Sequence, residues 1–406
     1  MKKLLILGGS RYVLPLIEIA HRLNAHVITC SNVPDEISHK YADEYYNVSV
    51  VDKEEVLKLA KEKSIDGIVS FACDPGVVTA AYVSEKMNLN FQGSYKSTSI
   101  LQNKGLFRDF LIKNGFNSPR AKHYREGDDP FKDVDYFNWP VIVKPVDSAG
   151  SKGVTKVDNP NSLKDAISIA VNQSKSKNYI IEDFLIFKGY HSSTDVYTVD
   201  GKIKFITYSD QLFDSKANNP YAPAIIVWPS TMEKKHQDYL TSEIQRLMTL
   251  LDMKTGIYNI ETCVDTDGNP YIMEVSPRGG GCKIAELQRF AFNVDLIEAE
   301  VRNALGLPMN EVKQTTCKGC WGEFVIHSQP NDTGIFKGVT IKECVKNNNL
   351  IMIELSKKEG EKVYPFTGAN MALGDLFLKT NDREEMNELI DSIDDWLIVN
   401  IEKEKE

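Results

Sequence analysis

The chain has 406 residues, room for two or three domains with their own cores, and 42% hydrophobic with 26% charged residues is ordinary soluble composition. A net charge of −9 argues against a nucleic acid as the main partner, because phosphate backbones are held by surplus Lys and Arg. Seven scattered cysteines argue against a disulfide framework, and no apolar run approaches membrane-spanning length, so a cytoplasmic protein with no membrane contact is expected.

The first hundred residues alternate short apolar runs with helical patterns: KLLILGG, PLIEIAHRL, AHVITC, KEEVLKLAKEKS, DGIVSFA and GVVTAAYVSEKMNL. Strands alternating with helices predict parallel pairing in a doubly wound sheet. Gly8 and Gly9 lack the third glycine of a dinucleotide fingerprint, and Tyr12 to Leu14 fill the places where backbone would approach a pyrophosphate. A tight strand-to-helix turn beside a small-molecule cleft is the better reading. LQNKGLFRDFLIKNGF then predicts one amphipathic helix that stops at Gly115. A strand-rich region follows, with PVIVKPV, GVTKV, YIIEDFL, SSTDVYTVDGKIKFITYSD and AIIVWPS, in which VDGK is a hairpin turn with Gly where φ must be positive. The helix HQDYLTSEIQRLMTLLDM leads into GIYNIETCVDTDGNPYIMEVSPRGGG. From about Leu307 the pattern predicts short strands, a hairpin-like run KVYPFTGANMALGDLFLKT and a terminal helix, with EKEKE as a solvated charge run. Cys317 and Cys320 have no second pair at zinc spacing and read as buried thiols.

Two stretches carry chemistry. VIVKPVDSAGSKGV has the ingredients of a phosphate loop in an unusual order. A P-loop places its lysine after the glycines at a helix start, whereas here Lys144 comes first, on a β-branched run that reads as a strand. A plain hairpin turn is the alternative for that loop. In the second stretch, Tyr258 to Gly281, Glu261 and Glu274 lie on two strands joined by the strong turn signal DTDGNP. Two inward carboxylates on adjacent strands repel unless a cation sits between them, and Mg²⁺ is commonly held by one or two carboxylates plus nucleotide phosphates. Arg278 and three glycines follow directly.

The strand lysine of VIVKP, the loop DSAGSKG, the strand IIEDFL and the pair Glu261 and Glu274 ending in EVSPR together resemble the ATP-grasp superfamily, over nearly the whole chain. EVSPRGGG most resembles the amino-acid ligases and the carbamoyl-phosphate-synthase-like ligases, and VYPFTGANMALGDLFLKT resembles the C-terminal domain of the biotin-carboxylase and purine-ligase branch. The resemblance implies a mixed α/β and α+β fold. A Rossmann-like pre-ATP-grasp domain would span 1–95. An ATP-grasp fold of two α+β subdomains would span 96–305, with its lid at about 116–187. A small C-terminal domain would span 306–406. It also implies ATP with Mg²⁺ or Mn²⁺, small-molecule carboxylate and amine substrates, and a homodimer.

Carried over by position, Lys104 and Lys144 would contact phosphates, and Ser148, Gly150, Ser151 and Gly153 would close over them as backbone donors. Glu182 would accept from the adenine amino group, Asp183, Phe184 and Leu185 would frame the base edge, and His191 would meet the ribose. Glu261 and Glu274 would hold the metal, with Ser276 where the family often has Asn. Arg278 would stabilise the anionic oxygens of an acylphosphate and Gly279, Gly280 and Gly281 would leave room for the substrate carboxylate. Cys282 reads as a packed thiol. The implied activity is ATP-dependent joining of an acid, of amino-acid type, to an amine through an acylphosphate, with release of ADP and phosphate. The alternatives are a biotin-carboxylase-like or purine-type ligase using bicarbonate or formate, and a silent ATP-binding protein.

Overall fold

The structure, a computed structural model, describes residues 1–148 and 152–403. Lys2–Leu7 (β1), Leu14–Arg22 (α1), Ala25–Cys30 (β2), Glu44–Tyr46 (β3), Lys53–Lys63 (α2), Gly67–Ser70 (β4) and Asp74–Met87 (α3) build a parallel sheet of order β3-β2-β1-β4. Its central strands are buried on both faces, which is why they read as continuous apolar runs. Asp52 caps α2 by accepting from the Glu55 amide. Gly8, at φ +100°, makes the turn off β1 against Cys73.

The predicted single helix is two, Tyr95–Gln102 (α4) and Lys104–Lys113 (α5). Asn103 between them is extended, at φ −106° and ψ 111°, and its side chain accepts from the Leu106 amide, so it starts a new helix instead of continuing the old one. The break has a consequence for the site, because it makes Lys104 the first residue of α5.

Two antiparallel sheets follow. Ala121–Arg125 (β5), Val141–Pro145 (β6), Thr155–Val157 (β7) and Asn178–Asp183 (β8) form the first, order β5-β8-β6-β7, covered by Leu163–Gln173 (α6). Ser192–Val199 (β9) and Lys202–Phe205 (β10) form a hairpin whose turn residues Asp200 and Gly201 both have positive φ. Next come Asp210–Phe213 (β11), Pro223–Trp228 (β12), Lys234–Leu250 (α7), Gly256–Val264 (β13) and Pro270–Ser276 (β14). The second sheet has the order β10-β9-β13-β14 and is packed on α7.

Ile284–Phe292 (α8) and Leu296–Ala304 (α9) lead to Cys320–Ile326 (β15), Gly334–Ile341 (β16), Glu343–Asn348 (α10), Leu350–Leu355 (β17), Lys362–Val363 (β18), Gly374–Thr380 (β19), Arg383–Asp391 (α11), Ile393–Trp396 (α12) and Leu397–Lys403 (β20). The hairpin-like run does not form a hairpin: β18 pairs with β16, whereas β19 lies between β15 and β17. The chain also returns after its last helices as a strand, β20 on β16, which takes Glu402 and Lys403 out of the expected free tail. Strands β11 and β12 join β15, β19 and β17 in one five-stranded sheet, order β11-β12-β15-β19-β17, so mid-chain and C-terminal segments share a core. The largest cluster links α1, α8 and α9 with Trp228, Trp321 and Phe377, and joins the N-terminal sheet to the rest of the molecule.

Candidate functional site

The hairpin β13–β14 places Glu261 directly opposite Glu274, so both carboxylates project from one face of the second antiparallel sheet. Burial first, and then Glu274, push the Glu261 carboxyl up to about 7, with Lys104 and Arg278 pulling the other way. Two carboxylates so placed repel each other, and a hard divalent ion with phosphate oxygens fits this donor set. Among the described residues no group of three or more His, Cys, Asp or Glu is arranged to hold a metal by itself, so any ion here draws further ligands from what binds beside it. Lys104, at the start of α5, holds its ammonium 3.3 Å from Glu274 and 3.2 Å from the Ser148 carbonyl.

On the facing sheet, Lys144 of β6 and Glu182 of β8 form a buried ion pair, and the Arg108 Nε donates to the other Glu182 oxygen at 3.0 Å. Burial opposes ionisation of Glu182, but Arg108 and Lys144 outweigh it and hold the carboxyl down at about 2. Arg108 also donates to the Met273 carbonyl at 3.0 Å, so one guanidinium from α5 ties both sheets together. Burial lowers the Lys144 ammonium below its ordinary range, and the neighbouring Arg108 and Lys104 add to that. Three cations thus crowd a place that an anion would relieve.

Beyond β14 the chain turns into the glycines. Arg278 is buried and makes a two-pronged pair with Asp74, the first residue of α3: Nε to Oδ1 at 2.9 Å and Nη2 to Oδ2 at 2.7 Å. Its Nη1 donates to the Gly279 carbonyl at 3.0 Å, which leaves two of its five N–H groups. A Cβ on Gly279 would lie 2.1 Å from the Phe71 ring, and one on Gly280 2.8 Å from Asn259 and 3.0 Å from Asp195, whereas Gly281 has open space. The Gly280 amide donates to both oxygens of buried Asp195 on β9, at 2.9 and 3.0 Å, and Asn259 adds a third bond. Burial raises the Asp195 carboxyl to about 6 in spite of these donors. A cavity of about 190 Å³ lies among Asp74, Gln102, Lys104, Ser148 and Glu274.

The structure therefore brings Lys104, Glu274 and Ser148 to one cavity, with Glu261 beside Glu274 and Arg278 paired with Asp74 of its lining. Several expected roles meet other partners. Both oxygens of Glu182 are taken by Arg108 and Lys144 rather than left for a base edge. The Ser276 hydroxyl donates to Asp74 at 2.9 Å and accepts from Gln102 at 2.7 Å, so it is committed away from the glutamate pair. Asp183 accepts from Asn138 and Arg120, its own amide bonds the Arg120 carbonyl and that of Phe184 bonds the Pro140 carbonyl; Leu185 lies beside them, half-buried. His191 packs edge-on to Phe187 at 4.0 Å and is pushed down to about 4 by burial. Gly153, at φ +75°, lies against Gln173, while Gly150 and Ser151 fall outside the described residues. Asp74, Arg108 and Asp195 escaped the sequence reading. The DP step that opens α3 just past a strand end was the one signal for Asp74; Arg108 and Asp195 sat in patterns that read as amphipathic helix and buried strand.

Residues 137–286 match the family model of the ATP-grasp domain. The whole length of the chain has the ATP-grasp fold. It is 24% identical over 318 residues to the formate-dependent phosphoribosylglycinamide formyltransferase of Synechococcus sp. (strain WH7803), covering 77% of this chain and 78% of that one. Among solved structures it superposes on an L-amino acid ligase from Bacillus licheniformis with TM-score 0.80, 20% identity and 99% of both chains covered. It also superposes on the biotin carboxylase domain of the Hydrogenobacter thermophilus 2-oxoglutarate carboxylase, in complex with MgADP and bicarbonate, with TM-score 0.78 and 16% identity, covering 99% of this chain and 91% of that one. No helix among the described residues is long and apolar enough to cross a membrane.

Proposed function

We propose that this chain is an ATP-dependent ligase that activates a small carboxylic acid, of the formate or bicarbonate class, as an acylphosphate and passes it to an amine, releasing ADP and phosphate. The observation that supports this is the cavity lined by Lys104, Glu274 and Asp74, whose Asp74 is paired with Arg278. A phosphate chain beside Lys104 and Glu274 faces an acid beside Arg278. The small class of acid is supported by the closure of Phe71 over Gly279 and of Asp195 and Asn259 over Gly280, which leaves space at Gly281 alone. The curated relative supports a purine-type ligase better than the amino-acid ligase expected from EVSPRGGG.

In this reading Lys104, Lys144 and the 148–153 loop hold the nucleotide phosphates, and Glu261 and Glu274 would hold Mg²⁺, which supplies charge neutralisation of phosphate oxygens. The substrate carboxylate attacks the γ-phosphorus and the β–γ bridging bond breaks, so ADP leaves. The amine nitrogen then attacks the acyl carbon, the carbon–oxygen bond to phosphate breaks, and the amine gives its proton to solvent. Arg278, through its two remaining N–H groups, stabilises the negative oxygens of both stages. The division into 1–95, 96–305 and 306–406, with a lid at about 116–187, belongs to the same proposal.

The test is to incubate the protein with Mg-ATP, hydroxylamine and a panel of formate, bicarbonate, acetate and amino acids. Formate or bicarbonate should stimulate ADP release above all other acids, and formate should give formohydroxamate. AMP with pyrophosphate, or stimulation confined to amino acids, would overturn the proposal.

A further inference from the structure

The turn that leaves β4, Phe71 to Asp74, lies against the start of the glycine run through three contacts in succession. The Phe71 ring covers Gly279, where a Cβ would lie 2.1 Å from it. The Ala72 amide donates to the Gly279 carbonyl at 3.1 Å. Asp74 then holds Arg278 on two prongs, accepting from Nε at 2.9 Å and from Nη2 at 2.7 Å. The turn is itself fixed: the Ser70 hydroxyl donates to the Cys73 carbonyl at 2.7 Å, and Pro75 follows Asp74 within the first turn of α3. Ala72 has φ +51°, a left-handed conformation that residues other than glycine adopt only at a cost. Such strain persists where the surroundings over-determine it, and here the Gly279 carbonyl takes the Ala72 amide.

The Asp74 carboxylate is held in its turn. Its Oδ1 also accepts from the Ser276 hydroxyl at 2.9 Å, and that hydroxyl accepts from the Gln102 amide at 2.7 Å. Gln102, Ser276, Asp74 and Arg278 thus form one chain of hydrogen bonds, drawn from the end of α4, the end of β14 and the start of α3. Each member sets the direction of the next. The chain converges on one guanidinium, of which two N–H groups stay uncommitted among the described residues. Gln102 and Asp74 also line the cavity beside Lys104 and Glu274, so the chain lies at the site and not behind it. A clasp that only joined the N-terminal sheet to β14 would need no place in the cavity wall.

We infer that the 71–74 turn is a preformed cradle for Arg278, with Asp74 as its positioning residue and Ser276 serving that relay instead of the metal. This rests on the acylphosphate reading for what Arg278 stabilises. A free arginine side chain has several rotatable bonds and must be ordered as the negative oxygens develop. A pinned one is already in place, which is the condition under which electrostatic stabilisation is most effective. Asp74 takes the Nε hydrogen and one Nη2 hydrogen, and so fixes the plane of the guanidinium. The two spare hydrogens, one on each terminal nitrogen, then have fixed directions.

Two readouts test the cradle without turnover. In nuclear magnetic resonance of the deuterated full chain carrying nitrogen-labelled arginine, the Nε–H signal of Arg278 is identified by its loss in Arg278→Lys. That hydrogen should exchange with solvent at least tenfold faster in Asp74→Asn than in wild type. Mg²⁺ titrated into protein with ATP should have the same midpoint, within twofold, in Ser276→Ala as in wild type; a tenfold rise would make Ser276 a metal ligand and overturn its place in the relay. In acid-stimulated ADP release, Asp74→Asn should lower kcat by about a hundredfold and leave ATP affinity, by calorimetry, within twofold. Ser276→Ala removes one bond and should lower kcat by about fivefold. If Asp74→Asn does not fold, Ser276→Ala takes its place in the exchange and rate measurements, where both should still change. Unchanged exchange overturns the inference, and so does faster exchange with lower thermal stability and intact kcat, which describes a structural clasp. If no acid stimulates ADP release by wild type, the acylphosphate reading fails, and the exchange and Mg²⁺ results decide the cradle by themselves.

Discussion

Glu261 and Glu274 face each other because DTDGNP closes a hairpin whose register puts them in one pair, and that pairing was readable from the two strand patterns and the turn between them. What their neighbours do was not. Asp74 and Arg278 are 204 residues apart, and nothing in either segment names the other. The charge state of the pair leads to a test. The Glu261 carboxyl, raised to about 7, is stabilising in its protonated form, and that stability is present below the ordinary carboxyl range and lost as pH rises through 7. Glu261→Gln keeps the neutral form at every pH. In the absence of nucleotide and metal it should therefore match wild type in urea unfolding at pH 5 and exceed it by on the order of 1 kcal/mol at pH 8. The same variant should lose turnover, because half of the metal-holding pair is gone. A variant no more stable than wild type at pH 8 would mean the two carboxylates do not confront each other.

At the scale of elements, the strands before and within the ATP-grasp region were legible because alternation and turn residues are local signals. The break between α4 and α5 was harder, since both pieces share one amphipathic pattern. Its cause is local all the same: Asn103 offers its side chain to the Leu106 amide, and the Lys104 amide bonds the carbonyl of Val146, just past β6, instead of an α4 carbonyl. Asn103→Ala removes the cap, which should cost about 1 kcal/mol of stability. Because α5 begins with Lys104 and carries Arg108, the same change should weaken ATP binding several-fold by calorimetry. Stability lost with nucleotide affinity unchanged would uncouple the helix start from the site. The run KVYPFTGANMALGDLFLKT misled for the opposite reason: two strand patterns close in sequence predict a hairpin, but their partners come from earlier in the chain, β16 for β18 and β15 and β17 for β19.

At the scale of the whole molecule, the candidate site lies between two antiparallel sheets and is closed on its third side by α3 of the N-terminal sheet. Arg108 spans the two sheets and Arg278 reaches the third part through Asp74. A ligand that fills this junction and binds the native state alone stabilises all of it. Mg²⁺ and ATP together at a hundredfold excess over Kd should contribute about 2.7 kcal/mol and raise the melting temperature by about 3 °C. ATP with EDTA should raise it markedly less. Equal shifts with and without Mg²⁺ would remove the metal role from Glu261 and Glu274.

The sequence by itself determined the doubly wound start, the strand lysine and the opposed glutamates, because each is written in a contiguous stretch whose periodicity and turns set its geometry. Tertiary structure decided the rest. Lys144 is engaged by Glu182, Ser276 turns to Asp74, and Arg278 is pinned before any substrate arrives. Each of these is a balance of charge and burial between segments far apart in the chain, and no local pattern records which carboxylate a cation will meet.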